Sequence, residues 1–138
     1  MKKLGLDKKE KLCSARAIED LFGPGGASFT RLCYPLRAVA RNNPRRRSDA
    51  PVAFVISVPK KRLHRAVDRV LMRRRIREAY RLCHQDFPLI PGLRIDIAFV
   101  YVANDKLPYD KVDAAVHRIM AALAEHFNSP SLGNEIPS

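Results

Sequence analysis

The chain is 138 residues long, enough for one domain that buries a core without disulfides or metal. Its formal net charge of +12 favours a polyanionic partner such as nucleic acid. The three cysteines are widely spaced and form no C-x-x-C pair, which excludes a disulfide scaffold and a zinc knuckle. The charged N-terminus excludes a signal peptide, and the lack of a long apolar run excludes a membrane span. We therefore expect a cytoplasmic protein.

The positive charge is concentrated in the middle of the chain. Residues 31–94 hold 17 Lys and Arg but only 4 Asp and Glu, whereas the remaining residues are close to neutral. Such a local field attracts phosphate backbones, and it makes binding fall steeply as salt is added.

The first predicted element is a helix that begins at Ser14, a residue type that caps helices. Ile18, Leu21 and Phe22 follow at helical spacing and form its apolar side. The run G-P-G-G at 23–26 ends the helix, and we expect the charged segment that precedes it to be flexible.

Alternating apolar and polar residues predict one strand from Phe29 to Arg41. In this prediction Leu32 and Tyr34 share the apolar side, whereas Arg31 and Arg37 share the basic side. The strand would therefore bury one face and present the other to solvent.

A loop with the triplet Arg45–Arg47 follows and predicts a mobile basic finger. Val52–Val58 is apolar on both sides, which is typical of a central strand. Ile95–Val102 predicts a further strand, with one wholly apolar side and one side that carries Asp96.

Between these strands, residues 65–81 read RAVDRVLMRRRIREAYR and predict a helix of about four turns, since no Gly or Pro interrupts them. Winding at about 100° per residue places Arg73, Arg74, Arg77 and Arg81 in an arc of roughly 100°. The opposite side collects apolar residues: Leu71, Met72, Ile76, Ala79, Tyr80, Leu82 and Cys83. Crowded like charges are costly unless a polyanion neutralises them, and guanidinium groups fit phosphates bidentately, so we expect nucleic acid on this face rather than solvent alone.

The last predicted helix begins at Tyr109 or Asp110, with apolar residues at spacings of three and four, and the tail 128–138 is expected to be disordered. Helices alternating with strands over residues 1–127 predict a single α+β domain, one sheet with helices packed on one face. The other face would carry small or polar residues beside arginine: Arg37, Val39, Ala53, Val55, Ser57 and Ala98. That composition suits a shallow groove for a flexible single strand.

The segment Ser57–Lys61 (S-V-P-K-K), followed by Ala66–Val67 and the spaced arginines of the helix, resembles the bacterial ribonuclease P protein component family. In that family S-V-S-K-K precedes A-V-x-R-N-R-x-K-R-x-x-R-E-A-F. The resemblance implies a mainly antiparallel four-stranded sheet with the order α-β-β-β-α-β-α. It also implies a left-handed crossover through the basic helix between parallel strands, against the right-handed default.

The resemblance further implies two sets of site residues. RNA contact is implied for the basic residues that match the motif: Lys60, Lys61, Arg69, Arg73, Arg74, Arg77 and Arg81. A groove for the 5′ leader of precursor tRNA is implied for Ile18, Phe22, Arg37 and Ser57. The chain departs from the family at Val70 and Leu71, which replace a polar Asn and Arg, and at Pro59, which replaces a serine.

The function implied is that of a ribonuclease P protein subunit without catalytic residues of its own. Its partners would be the catalytic RNA, which binds Mg²⁺ and hydrolyses the phosphodiester, and precursor tRNA, with no protein partner or membrane. The scattered carboxylates agree, because a metal-dependent nuclease needs a cluster of them. Asp96 is the one carboxylate to watch, and its simpler interpretation is an ion pair with an arginine at a strand edge.

Three alternatives remain on the sequence alone. A structural or ribosome-associated protein could use the same basic helix, but it would need no single-strand groove. A protein-only nuclease would depend on Asp96. A DNA-binding protein is disfavoured, because no helix-turn-helix spacing or dimerisation heptad is present.

Overall fold

The structure, a computed structural model, describes residues 21–22, 28–43, 52–89 and 92–128. The elements in chain order are β1 (Phe29–Cys33), β2 (Leu36–Asn42), β3 (Val52–Ser57), α1 (Ala66–Cys83), a 3-10 turn (His84–Asp86), β4 (Ile95–Tyr101) and α2 (Tyr109–Asn128). Leu21 and Phe22 are helical, in agreement with the predicted first helix. Ile18, the Arg45–Arg47 triplet and the tail from 129 onward lie outside the described residues.

The four strands form one mixed sheet in the order β1-β2-β4-β3. β1 with β2 and β2 with β4 are antiparallel, whereas β3 with β4 is parallel. The predicted α+β class and the mainly antiparallel four-stranded sheet are thus confirmed. α1 connects the two parallel neighbours as the resemblance implied, and the handedness of that crossover stays a prediction.

The prediction of one strand from Phe29 to Arg41 is wrong. Tyr34 and Pro35 form a turn, so the segment is a hairpin of β1 and β2. Proline has no N–H to donate to a ladder and is disfavoured inside a strand, which explains the break. Two residues in the turn also shift the alternation, so Arg31 lies opposite Ala38 on the core side and Leu32 lies opposite Arg37 on the other.

The expectation that Val52–Val58 is a central strand is also wrong, because β3 is an edge strand paired with β4 alone in the described sheet. Its apolar character has another cause: its first half is covered on both faces. Phe54 belongs to the core beneath the helices, whereas Ala53 packs in a cluster on the opposite face.

The main core lies between the sheet and the two long helices. β4 contributes four fully buried side chains on one side, Ile95, Ile97, Phe99 and Tyr101, as the alternation predicted. α2 buries six side chains against this core: Val112, Ala115, Val116, Ile119, Met120 and Leu123. Of the six apolar residues predicted for its stripe, Val112, Val116, Ile119 and Leu123 are buried, whereas Ala122 and Phe127 are half-buried. Burial of side chains of this size supplies most of the favourable free energy of folding.

The opposite sheet face carries a smaller cluster. Leu21 is buried there against Val39, Ala53 and Ala98, with Val55 at its margin. The two long helices therefore share one face, as expected, while the helical residue Leu21 covers part of the other. Of the face predicted to form a groove, Val39, Ala53 and Ala98 are consequently buried, whereas Arg37 is exposed.

The end of α2 corrects the predicted tail boundary by one residue. Asn128 is helical, and its side-chain amide donates to the carbonyl of Pro88 at 2.9 Å. That bond holds the helix end against the loop that follows the 3-10 turn.

Within the parts of the chain that the structure describes, no helix has both the length and the apolar composition needed to cross a bilayer.

Candidate nucleic-acid interface

Helix α1 is docked by one apolar stripe, which leaves its other side in solvent. The stripe consists of Met72, Ile76, Ala79, Tyr80 and Cys83, all buried. The Tyr80 ring lies 4.6 Å from that of Phe54 and 6.0 Å from that of Phe99, centroid to centroid. The first pair is tilted and the second is edge-to-face, and such aromatic pairs stabilise the contact beyond the area they bury.

Leu82 was predicted within this buried stripe, but its side chain is 44% exposed. At about 100° per residue it lies roughly 100° from the centre of the stripe, beyond the reach of the sheet. The docked face is therefore narrower than the sequence suggested.

Three of the predicted site residues, Arg73, Arg74 and Arg77, point away from the core. Arg74 and Arg77 are exposed and Arg73 is half-buried. None of the three forms a hydrogen bond or ion pair with the described residues. We call this group the arginine strip; its guanidinium groups keep their donors for a ligand.

Three other arginines of the helix, Arg69, Arg75 and Arg81, donate hydrogen bonds within the protein. Arg69 donates through Nη1 to the carbonyls of Leu63 and His64, both at 2.9 Å. Arg75 donates to the carbonyl of Leu107, in the connection between β4 and α2. These two arginines stabilise the start of α1 and hold it against its neighbour.

Arg81 is neutralised by Glu78, one turn earlier. Its Nε donates to Oε1 of Glu78 at 3.0 Å, and Nη2 donates to the second oxygen in a bidentate pair. The hydrogen bond from Arg81 lowers the pKa of Glu78 below its ordinary value, so the carboxylate stays charged at neutral pH. Arg81 thus offers a phosphate less free charge than the arginine strip does.

The connection between β4 and α2 fixes the beginning of α1. Lys106 pairs with Asp68 at 3.3 Å, where the carboxylate also faces the positive end of the helix dipole. Arg62 donates to the Asn104 side chain at 3.2 Å. These contacts, with that of Arg75, set the direction in which the arginine strip points.

Lys60 and Lys61 are exposed in the turn between β3 and α1. That turn is closed by the Pro59 carbonyl, which accepts from the backbone N–H of Arg62 at 3.0 Å. Since β3 ends at Ser57 and α1 begins at Ala66, the two lysines connect the sheet face to the basic helix. The predicted RNA-contact and groove residues are therefore neighbours along this part of the chain.

The register of the sheet aligns two predicted groove residues. Leu32 pairs with Arg37, Arg37 pairs with Val100, and Val100 pairs with Ser57. These four residues form one straight row across the sheet, here called the open row, in which Arg37 and Ser57 lie two strands, or roughly 10 Å, apart. All four are exposed or half-buried, whereas the neighbouring Val39 and Ala98 are buried near Leu21.

Phe22 and Leu32 are both exposed, but the sequence predicted this for Phe22 only. Phe22 was predicted for the groove and is exposed, next to the buried Leu21. Leu32 was assigned to the core but is 64% exposed in the open row. Pro35 was the signal that could have corrected its side, since a turn there shifts the alternation.

Asp96 does not lie at a strand edge, as its simpler interpretation assumed, because β4 is an interior strand. The carboxylate is fully buried and accepts a hydrogen bond from the Asn43 side chain at 2.8 Å. Its register partner on β2 is Arg41. Asp96 is thus a buried carboxylate in the interior of the sheet, with a hydrogen bond from the half-buried Asn43.

The described residues include no cluster that could bind a divalent cation, and Cys83 is not a reactive nucleophile. No three His, Cys, Asp or Glu side chains among them come together as metal ligands. Burial raises the pKa of Cys83 to about 12, so the thiol keeps its proton and is a poor nucleophile. The exposed guanidinium groups of the arginine strip are instead suited to binding a polyanion.

Replacing Glu78 by Gln is expected to strengthen RNA binding by freeing Arg81 for one more phosphate. The salt slope, d log K/d log [salt], should become steeper by about 0.7 to 0.9. The pKa of Glu78 is lowered, so the ion pair is fully present above the usual carboxyl range and is lost only as the pH falls through the lowered pKa. The RNA affinity of wild type should therefore approach that of the variant only in acid. Filter binding over a salt series measures this.

The exposed carboxylate Glu125, on α2, provides the matched control. Glu125→Gln should leave the slope unchanged. An equal slope for wild type and Glu78→Gln would place Arg81 outside the interface.

Comparison with known proteins agrees with this arrangement. The family model described as Ribonuclease P matches residues 6–124. Two curated proteins named "Ribonuclease P protein component", from Porphyromonas gingivalis strains ATCC 33277 and W83, are each 34% identical over 134 residues, which is 95% of this chain and 95% of theirs. The solved structure of the Staphylococcus aureus RNase P protein matches 86% of this chain and 98% of its own, with a TM-score of 0.65 and 18% identity, and so supports the fold.

Proposed function

Because the chain belongs to the ribonuclease P protein family, we propose that it is the protein subunit of a ribonuclease P. In this role it binds the catalytic RNA and the 5′ leader of precursor tRNA, and it supports endonucleolytic maturation of the tRNA 5′ end. The observation that carries the proposal is the arginine strip, whose three guanidinium groups have no partner within the described residues. A structural RNA-binding role without processing is not favoured, because the relatives that match over nearly the full length of both chains are named ribonuclease P protein component.

The arginine strip and the lysine turn would bind the RNA subunit. Docking of α1 through Tyr80 and its buried stripe fixes the helix, so little conformational entropy is lost on binding. Each guanidinium that meets a phosphate releases condensed counterions, and affinity then falls with salt. Lys60 and Lys61 extend the same field toward the sheet.

The open row would hold the leader. Arg37 supplies a charge for the leader phosphates, Ser57 a hydroxyl, and Leu32 and Val100 an apolar surface between neighbouring strands. A single strand with unstacked bases fits a flat row of this kind better than a rigid duplex does. Phe22, exposed beside the cluster around Leu21, provides an aromatic face on which a base could stack.

The bond-breaking chemistry is assigned to the RNA subunit with its Mg²⁺. The described carboxylates do not fit a magnesium site of the protein's own, since Asp96 is buried on Asn43 and no ligand cluster forms. The protein's contribution would be to offset repulsion between phosphates and to position the leader. It would also act in the compartment where precursor tRNA is processed, which for a bacterial protein is the cytoplasm.

Direct binding to the host ribonuclease P RNA, measured by fluorescence anisotropy over a series of KCl concentrations, tests the RNA half of the proposal. Submicromolar affinity at low salt with a steep negative salt slope is expected. Binding that is absent, or that does not respond to salt, would contradict it.

Arg37→Ala tests the leader half. The variant is expected to weaken binding of precursor tRNA with a long leader by about tenfold, the loss of one charge-assisted contact, and to leave mature tRNA unaffected. The affinity of the assembled holoenzyme for the two substrates measures this.

Arg31→Ala is the matched control, because Arg31 is an exposed arginine of the same hairpin that lies on the opposite sheet face. It should affect neither substrate. Equal losses with both substrates, or equal effects of the two variants, would remove the open row from leader binding.

A further inference from the structure

The outer face of α1 carries two exposed valines among its arginines. Val67 is 60% exposed and Val70 is 44% exposed. Winding at about 100° per residue puts Val67, Val70, Arg74 and Arg77 in an arc of roughly 80°, directly opposite the buried stripe. Along the axis these four residues span roughly 15 Å.

This face is therefore neither purely apolar nor purely basic. Val70 lies three and four residues before Arg73 and Arg74, and Val67 lies three residues before Val70, which are the spacings at which side chains on a helix touch. The arginines have no partner within the described residues, and the stems of long cationic side chains extend the apolar surface around their neighbours. A ligand for this face must offer anionic groups and apolar surface within a few ångströms of one another.

RNA has that composition. Ribose carbons and base faces lie between successive phosphates, and the shallow minor groove of an A-form helix, or an unstacked loop, exposes them to side chains. A lipid surface fits less well, because two valines bury little apolar area and no bulky aromatic side chain accompanies them on this face. The chain's net charge of +12 also disfavours a second copy of itself.

We propose that Val67 and Val70 contact ribose and base surface of the RNA subunit, and so supply a share of the affinity that does not depend on salt. This inference rests on the proposed function. Phosphate contacts lose free energy as salt rises, because fewer counterions are released on binding, whereas burial of apolar surface does not weaken with salt in this way. The two contributions can therefore be separated in one titration.

The test is binding of the full-length protein to ribonuclease P RNA between low and high KCl, for wild type and the double variant Val67→Ser/Val70→Ser. Affinity should fall by about tenfold, or about 1.4 kcal/mol, at every salt concentration, with an unchanged slope. The double Val→Thr variant, which keeps the β-branched shape, should give a smaller loss in the same direction. Circular dichroism melting checks that each variant is folded.

Leu82→Ser is the control, since Leu82 has the same 44% exposure as Val70 on the same helix but lies away from the arginine strip. It should leave affinity unchanged. Unchanged affinity of the valine variants, a changed slope, or an equal loss with Leu82→Ser would each overturn the inference. Failure of wild type to bind the RNA at all would overturn the proposed function itself, and the wild-type titration alone reveals that.

Discussion

Replacing Arg73, Arg74 and Arg77 together by alanine is expected to weaken binding to the RNA subunit by more than about 100-fold at low salt, since each charge-assisted contact is worth about 1.5 to 3 kcal/mol. The salt slope should become shallower by about 2 to 3, at roughly 0.7 to 0.9 per lost phosphate contact. Stability should hardly change, because none of the three donates to a described part of the protein. Salt-series binding and thermal melting together measure both effects.

Two controls separate charge from position. Arg118→Ala removes an exposed arginine from α2 and should leave the slope unchanged. Arg75→Ala removes the arginine next to Arg74, which donates to the Leu107 carbonyl, so it should lower the melting temperature without a comparable change in slope. An unchanged slope in the triple variant would refute the placement of RNA on this face of α1.

Asp96→Ala is expected to destabilise the protein by about 3 kcal/mol. The Asp96 side chain is fully buried, and its loss leaves the Asn43 amide without its acceptor. For a domain of this size that corresponds to a fall in melting temperature of about 10 °C. At a temperature where the variant is still folded, cleavage by the reconstituted enzyme should be close to that of wild type. Thermal unfolding and precursor-tRNA cleavage are the two measurements.

Asp110→Ala, which removes an exposed carboxylate from the first turn of α2, is the matched control. It should cost at most about 1 kcal/mol, through the helix dipole, and leave cleavage unchanged. Loss of cleavage in a fully folded Asp96→Ala protein would make this carboxylate catalytic. That result would favour the protein-only nuclease that the sequence left open.

The long elements were predictable because their periodicity extends over many residues. α1 repeats its apolar positions over 18 residues and α2 over 20, and β4 has a large apolar side chain at every second position. Burial enforces such patterns, since a single polar residue in the stripe would cost several contacts. The mixed α+β fold followed from the order of these elements together with the family resemblance.

The hairpin and the strand order were not predictable from alternation alone. A two-residue turn at Tyr34-Pro35 preserves an apparently continuous pattern while it exchanges the faces of β1. β3 reads as a central strand because its first half is covered on both faces, although its outer edge has no partner strand in the described sheet. Which strands pair is a long-range property that local composition does not record.

The candidate site was predicted as a set of basic residues, but not by their roles. Arg69 and Arg75 look equivalent to Arg74 in the sequence, yet their donors are taken by backbone carbonyls 6 and 32 residues away. A backbone carbonyl is present at every residue, so the sequence does not show which arginines it will bond. Only the folded structure distinguishes the arginines that donate to backbone carbonyls from those whose donors face solvent. The sequence shows Val70 as a departure from the family motif, but it does not show that the side chain is exposed.

The most direct test of the central claim is precursor-tRNA cleavage at low Mg²⁺ by the host ribonuclease P RNA, with and without this protein and with a protein-only control. Since the protein is proposed to offset repulsion between phosphates, cleavage should occur at low Mg²⁺ only when both subunits are present. Cleavage by the protein alone, or no stimulation of the RNA by the protein, would contradict the account.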